Sequence, residues 1–419
     1  MSKVNLRIFI LGNFVSLLGS SMQRTALPLF ILDLTGKGSI MSMLSLSHMI
    51  PMLLTTPISG VIGDRANRKH IMVSMDILRG LLLIPLIIFG FKGNLSLPLI
   101  FFIMALSAIL DSLFSAATSA MLPELVAEDS LRKANSYHML FTNIANLLGP
   151  VFGAIVYSLW GINSIFVFNA LCYLISGIFE LFIKYTPQKH TEKNTLKEFI
   201  ASARFGFEFI HKNHQLKNFA LFILLLNFLI APIFNVVIPF VTREELHLSS
   251  VAYGLLGTSL TIGIILGAIA TGTILSKKPS GVLIKAGIFT FCCLTLLISA
   301  LISPWLRPLF NDGIYTGTIF LLGLLVLLGI VVSTINIPVQ TDMQKLTPND
   351  VRSRVFATLD LLAQGAQPLS IAIGGIAIDY IPSYFISSIF ALFLFMVGIT
   401  FVKKLSDTGL DSTLEVEKV

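Results

Sequence analysis

Charge is what this sequence has least of. Asp, Glu, Lys and Arg make up 12% of 419 residues, about half the share of an ordinary soluble domain, which excludes a chain solvated by water on every side. Cysteine occurs three times, and Cys172, Cys292 and Cys293 all fall inside apolar runs, so no disulfide framework is implied. His48 stands isolated in an apolar run, and His211 and His214 lie in a polar stretch without further ligands, so no metal site is expected. There is no G-x-x-x-x-G-K-[ST] loop, which excludes ATP as the direct energy source, and no cofactor is implied. The leading apolar run outlasts a signal peptide, lacks a small-residue cleavage site, and reads as a retained first span.

Apolar residues fill the space that charge leaves, at 55% of the chain. A membrane crossing needs roughly 20 of them in succession, and the sequence predicts twelve: 8–34, 39–63, 70–91, 97–122, 134–159, 162–184, 217–242, 250–276, 281–303, 314–341, 353–379 and 383–403. The fifth and sixth form one continuous apolar run, expected to break near Trp160-Gly161-Ile162-Asn163. The fold class is therefore an all-α membrane protein. Its organisation is a first bundle of six helices over 1–184, a linker over 185–216, a second bundle over 217–403 and a tail over 404–419. Within the linker, Leu196, Phe199, Ile200, Ala203, Phe207 and Ile210 recur at helical spacing, which predicts an amphipathic helix on the inner membrane surface.

The formal charge of +7 follows from orientation. With a cytoplasmic N-terminus, only Lys37, Lys92, Arg243 and Arg307 fall outside and Arg24 and Arg79 within spans; the remaining bases face inward, which puts both termini in the cytoplasm of a cell-membrane protein. Bases scattered over short loops suit anionic lipid headgroups and exclude a nucleic-acid module. The two halves also echo each other. Gly60-Val61-Ile62-Gly63-Asp64-Arg65 aligns with Gly272-Thr273-Ile274-Leu275-Ser276-Lys277, and Leu125 to Asp129 with Leu346 to Asp350.

The first of these segments continues through Arg68-Lys69 to give G-x-x-x-D-R-x-x-R-K. In that form it resembles the loop between spans 2 and 3 of the major facilitator superfamily. The resemblance covers the whole chain and implies two pseudo-symmetric six-helix bundles with a substrate path at their interface. It also implies a gating latch of Gly60, Gly63, Asp64, Arg65, Arg68 and Lys69, with glycines for close helix contact; Arg68 and Lys69 also suit a purely topogenic role. Asp360, near the inner end of span 11, would complete the gate. Gly149, Pro150 and Gly153 resemble the glycine-proline motif of span 5 in exporters. Leu122-Pro123-Glu124-Leu125-Val126 with Ala134-Asn135, and Thr347-Pro348 through Arg352-Ser353-Arg354-Val355-Phe356, resemble the macrolide-efflux branch.

Ionisable residues inside a membrane default to functional hypotheses. Asp111 lies about 14 residues into span 4, roughly 20 Å deep at 1.5 Å per residue, where relatives often carry arginine. Arg24 in span 1 is expected within its reach, so Asp111 and Arg24 are the proton-coupling candidates, with a permanent ion pair as the alternative. Asp76 and Arg79, one turn apart near the inner end of span 3, are expected to satisfy each other or the latch, as a structural feature. Glu180 and Asp342 are expected to be solvated at the inner interface. Gln23, Asn227, Asn235, Asn336 and Gln340 are candidate cavity contacts or interhelical glue. Together these features predict a monomeric exporter, not an enzyme, that exchanges hydrophobic or amphiphilic small molecules for protons by alternating access. A lipid or siderophore exporter of the same fold, or a transport-silent sensor, remain alternatives.

Overall fold

The computed structural model describes residues 3–65, 67–185, 196–310 and 316–407, with the side chains of 3, 63–65, 128, 196 and 402–407 outside that set. No strand occurs among the described residues. The first helices are α1 (Lys3–Thr35), α2 (Gly38–Arg65), α3 (Arg68–Phe91) and α4 (Leu97–Glu124). A run of 54 residues, Glu128–Leu181, follows. At 1.5 Å per residue it measures about 80 Å, more than twice the hydrocarbon thickness, and it bends where Gly161 adopts φ 73° and ψ −177°. Only glycine enters that region readily, so the backbone turns where the sequence predicts. The limbs are α5 (128–160) and α6 (162–181).

After the linker helix α7 (Leu196–Lys212) come α8 (His214–Glu245), α9 (Ser250–Gly272), α10 (Ser280–Leu301), α11 (Thr316–Leu346), α12 (Arg352–Ile378) and α13 (Ser383–Asp407). Eleven helices among the described residues are long and apolar enough to cross a membrane, and the bent one supplies two crossings. The twelve expected spans are all present.

Caps sharpen the helix starts. Asn67 accepts from the His70 N–H at 3.3 Å to start α3, and Asn213 accepts from Gln215 and Leu216 N–H groups at 3.0 and 3.1 Å to start α8. Within α8, π-helical turns at Ile233–Val237 and Val241–Glu245 follow Pro232 and Pro239. Proline withholds the N–H of the regular ladder, and hydropathy carries no trace of this register change. The amphipathic linker helix forms, with Ile210 buried and Ile200 and Phe207 exposed. Gly206 lies against the Arg354 carbonyl of α12.

The chain divides into two compact units. One is built on α1 to α6 with Ser249–Gly254, the other on α7 to α13 with Lys37–Ser42. In the first, Phe9, Met72, Ala117 and Met121 form a fully buried apolar knot joining α1, α3 and α4.

Candidate functional site

Asp76 and Arg79 share the inward stripe of α3 with Met72 and Gly80. Gly80 would place a Cβ 3.2 Å from the Ala170 carbonyl oxygen, and Gly177 would place one 3.5 Å from Asp76 Cβ, so α3 and α6 meet closely at the charged residues. Arg79 donates to Asp76 Oδ1 through Nη2 and to Asp111 Oδ1 of α4 through Nη1 at 2.7 Å. Its guanidinium lies 4.0 Å from the Phe114 ring centroid and 4.5 Å from that of Tyr173. A flat fork is suited to bridging two carboxylates while stacked between rings; a lysine ammonium is not. Ser20 donates to the Ser16 carbonyl at 2.9 Å, which leaves the Tyr173 hydroxyl to donate to Ser20 Oγ at 2.8 Å.

The other oxygen of Asp111 meets His48 Nε2 of α2 at 3.0 Å. This corrects two expectations. His48 is not isolated, and the contact between Arg24 and Asp111 does not form: Arg24 donates to Asn146 Oδ1 of α5 at 3.3 Å and its side chain lies at the surface. Depth explains the true pairing. Arg79 lies about 17 Å from the Arg68 end of α3 and Asp111 about 20 Å from the Glu124 end of α4, and these ends adjoin through the Arg68–Glu124 ion pair. The side chains of His48 and Asp111 retain 33% and 24% exposure, against 5% for Arg79. The cluster therefore has a fixed buried cation, two carboxylates and an accessible imidazole. One proton gained on His48 or Asp111 changes its charge sum from −1 to zero.

Glu180, expected to be solvated, is fully buried, and neither carboxyl oxygen has a hydrogen-bond partner among the described residues. Asp342 is also buried, accepting from Ser280 at 3.0 Å. The expectation failed because distance along a helix from its end does not report which neighbours close over it.

The latch is described in part. The side chains of Gly63, Asp64 and Arg65 lie outside the described residues. Gly60 is no close-contact glycine here, since nothing described lies within 4 Å of a Cβ built on it. Arg68 is buried, pairs with Glu124 at 2.6 Å and donates to the Ala120 carbonyl at 2.9 Å. Tyr185 donates to the same Glu124; burial and that carboxylate push its phenol up to about 12. Lys69 donates to the Leu181 carbonyl at 2.8 Å, at the C-terminal end of α6. These two bases thus tie α3 to α4 and α6, which is more than a topogenic role. Asp360 is exposed on α12 and makes no hydrogen bond or ion pair among the described residues.

The α5 motif is a close-packing surface. A Cβ on Gly149 would strike Ser21, one on Gly153 would lie 2.6 Å from the Met22 carbonyl oxygen, and one on Gly254 would lie 2.5 Å from that of Pro150. Among the polar candidates, Gln23 is buried, accepting from Asn169 at 2.7 Å, and Asn227 accepts from Gln367 at 3.0 Å. Both join helices. Asn235 donates to the Ala231 carbonyl at 2.9 Å, and its side chain, with those of Asn336 and Gln340, lies at the surface.

The Major Facilitator Superfamily model matches residues 9–371. Macrolide efflux protein A of Streptococcus pyogenes is 25% identical over 291 residues, 70% of this chain and 71% of that protein. Multidrug efflux pump Tap of Mycobacterium bovis is 22% identical over 375 residues, 88% of this chain and 85% of that one. Among solved structures, a bacterial homologue of the iron transporter ferroportin, inward-facing, has a TM-score of 0.73 at 18% identity, covering 96% of this chain and 100% of that one. The nucleoside transporter NupG has a TM-score of 0.77 at 13% identity, covering 96% and 99%. These two share the fold. With the family model spanning most of the chain and twelve crossings in place, the protein is a multi-pass membrane transporter that belongs to the major facilitator superfamily.

Proposed function

We propose that this protein exports hydrophobic or amphiphilic small molecules, of macrolide or multidrug type, in exchange for protons. The observation that carries the coupling is Asp111, held by a buried arginine on one oxygen and by a partly exposed histidine on the other. A proton arriving through His48 and settling on Asp111 removes one of the two carboxylates that hold Arg79. The guanidinium is then held by Asp76 alone, and the Arg79 link between α3 and α4 is loosened. A buried ion network thereby becomes an element with two arrangements, which proton and substrate can bias in opposite directions. The efflux relatives support the export direction and the macrolide or multidrug class. In this reading Gly60, Gly63, Asp64, Arg65 and Asp360 keep the gating role that the resemblance implies, Asn235, Asn336 and Gln340 are substrate contacts, and the protein works as a monomer in the cell membrane with both termini inside.

Reconstitution in liposomes tests this with a panel of macrolides, lipophilic cations and siderophores. A pH gradient should drive accumulation of a macrolide or lipophilic cation, with matching proton movement. Asp111→Asn should lose that drive by about tenfold or more while keeping macrolide-for-macrolide exchange. Proton movement that stays normal in Asp111→Asn removes Asp111 from the cycle, and a wild type indifferent to the pH gradient with every compound overturns proton exchange.

A further inference from the structure

The network at Asp111 leaves one acidic group unused. Glu180 on α6 is fully buried, and so are Asp76 and Ser176 beside it. Four of their oxygens, Asp76 Oδ2, Ser176 Oγ and both of Glu180, have no hydrogen-bond partner among the described residues. Their residues meet at one contact among α1, α3 and α6. Ser176 and Glu180 are one turn apart; a Cβ on Gly12 of α1 would lie 3.4 Å from Ser176 Oγ and 3.6 Å from Glu180 Cγ, and one on Gly177 would lie 3.5 Å from Asp76 Cβ. The charges acting on Glu180 are Asp76 and Arg79 of α3, while α1 presents Gly12 without a side chain.

Charge counting then decides the occupant. Arg79 is already shared between Asp76 and Asp111, and Lys69 is spent on the Leu181 carbonyl, so among the described residues no cation pairs with the third buried carboxylate. An ionised carboxylate without a partner is among the costliest things to bury, and such a group takes a proton instead. A protonated Glu180 has a hydrogen to donate toward the orphaned oxygens of Asp76 and Ser176. Proton sharing of this kind is what two carboxyls in one dry site adopt.

We infer that Glu180, with Asp76 and Ser176 around it, is a second proton-binding site, enclosed where the His48–Asp111 pair is open, and that its proton is one of those exchanged in transport. The second half of this inference rests on the proton-coupled reading above. When Asp111 takes a proton, Arg79 is held by Asp76 alone, and the stronger pull on Asp76 weakens its hold on the proton it shares with Glu180. A proton bound at the open pair is in this way linked to one released at the enclosed pair.

Infrared difference spectra of the purified full-length protein, wild type minus Glu180→Gln, test the site without any substrate. The carbonyl band of a protonated carboxyl should be present at neutral pH and missing in the variant; its absence from the wild type overturns the proposal. In liposomes with a macrolide as probe, Glu180→Gln should lose pH-gradient-driven transport by about tenfold or more, while macrolide exchange continues. Undiminished gradient-driven transport in Glu180→Gln makes the group a fixed structural acid and overturns its part in the cycle. Drive by a sodium gradient, abolished in Glu180→Gln, assigns the four oxygens to a metal cation and likewise overturns it. Should Glu180→Gln fail to fold, Glu180→Asp decides: a shifted carbonyl band supports the site and an unmoved one overturns it. If the wild type itself ignores a pH gradient, the proton-coupled reading fails, and the infrared band still reports whether Glu180 holds a proton.

Discussion

The α3–α6 contact of the first unit and the α10–α13 contact of the second are counterparts, third span against sixth, filled with opposite chemistry. In each, a glycine of the sixth span receives a side chain of the third: Gly177 lies against Ile77 and Asp76, Gly398 against Ile288. Between α3 and α6 the buried polar groups include Asp76, Arg79, Ser176 and Glu180. Between α10 and α13 a pair of buried hydroxyls meets, Ser299 donating to Ser387 at 2.7 Å. Hydroxyls satisfy each other cheaply and hold no charge to move. Ionisable groups at the same depth are expensive to keep, so at this contact the repeat carries costly ionisable groups in the first half and cheap hydroxyls in the second. The second half offers other material, with glycines seating α9 directly on the α11 backbone and the amides of Asn336 and Gln340 at the surface.

The contrast breaks most sharply at Arg79. Arg79→Ala leaves the buried Asp76 and the half-buried Asp111 without their cation and should cost about 3 kcal/mol, read as loss of folded protein in thermal unfolding in detergent. Arg79→Lys should recover only part, because an ammonium neither forks between two carboxylates nor stacks on Phe114 and Tyr173 as a guanidinium does. An unchanged midpoint in Arg79→Ala would mean the network is not holding the two carboxylates. The second unit should respond to volume instead. A Cβ on Gly267 would lie 2.5 Å from the Ile330 carbonyl oxygen, so Gly267→Val should cost about 1–3 kcal/mol by overpacking, with no effect on the infrared carboxyl band. Smallest is Ser299→Ala, which should cost about 0.6 kcal/mol, the average for a polar contact between membrane helices. A loss at Ser299 as large as that at Arg79 would erase the distinction between the two contacts.

The site was legible only in pieces. Asp111 stands out from the sequence because a lone acid in a long apolar run has few uses. Its partners do not, and proximity along the presumed cavity suggested Arg24 where the structure has Arg79 and His48. The missing signal was depth measured from a shared membrane face, which sets Arg79 and Asp111 level on adjacent antiparallel helices. Glu180 was harder still: only the closure of α1 and α3 over it turns a residue near a helix end into a buried acid. Arg68 and Lys69 look like ordinary inward-facing bases until Glu124 and the Leu181 carbonyl are seen beside them.

By itself the sequence determined the number of crossings, the bend at Gly161, the linker helix and the superfamily to which the chain belongs. Each of these depends on run length, a single residue's conformational freedom or a short motif, all of which are local. Which charges meet, which acids are sealed from water and which glycines touch a neighbouring backbone were decided by tertiary structure alone. A span's hydropathy is nearly unchanged when the helix turns about its axis, whereas a buried ion pair exists in only one such rotation.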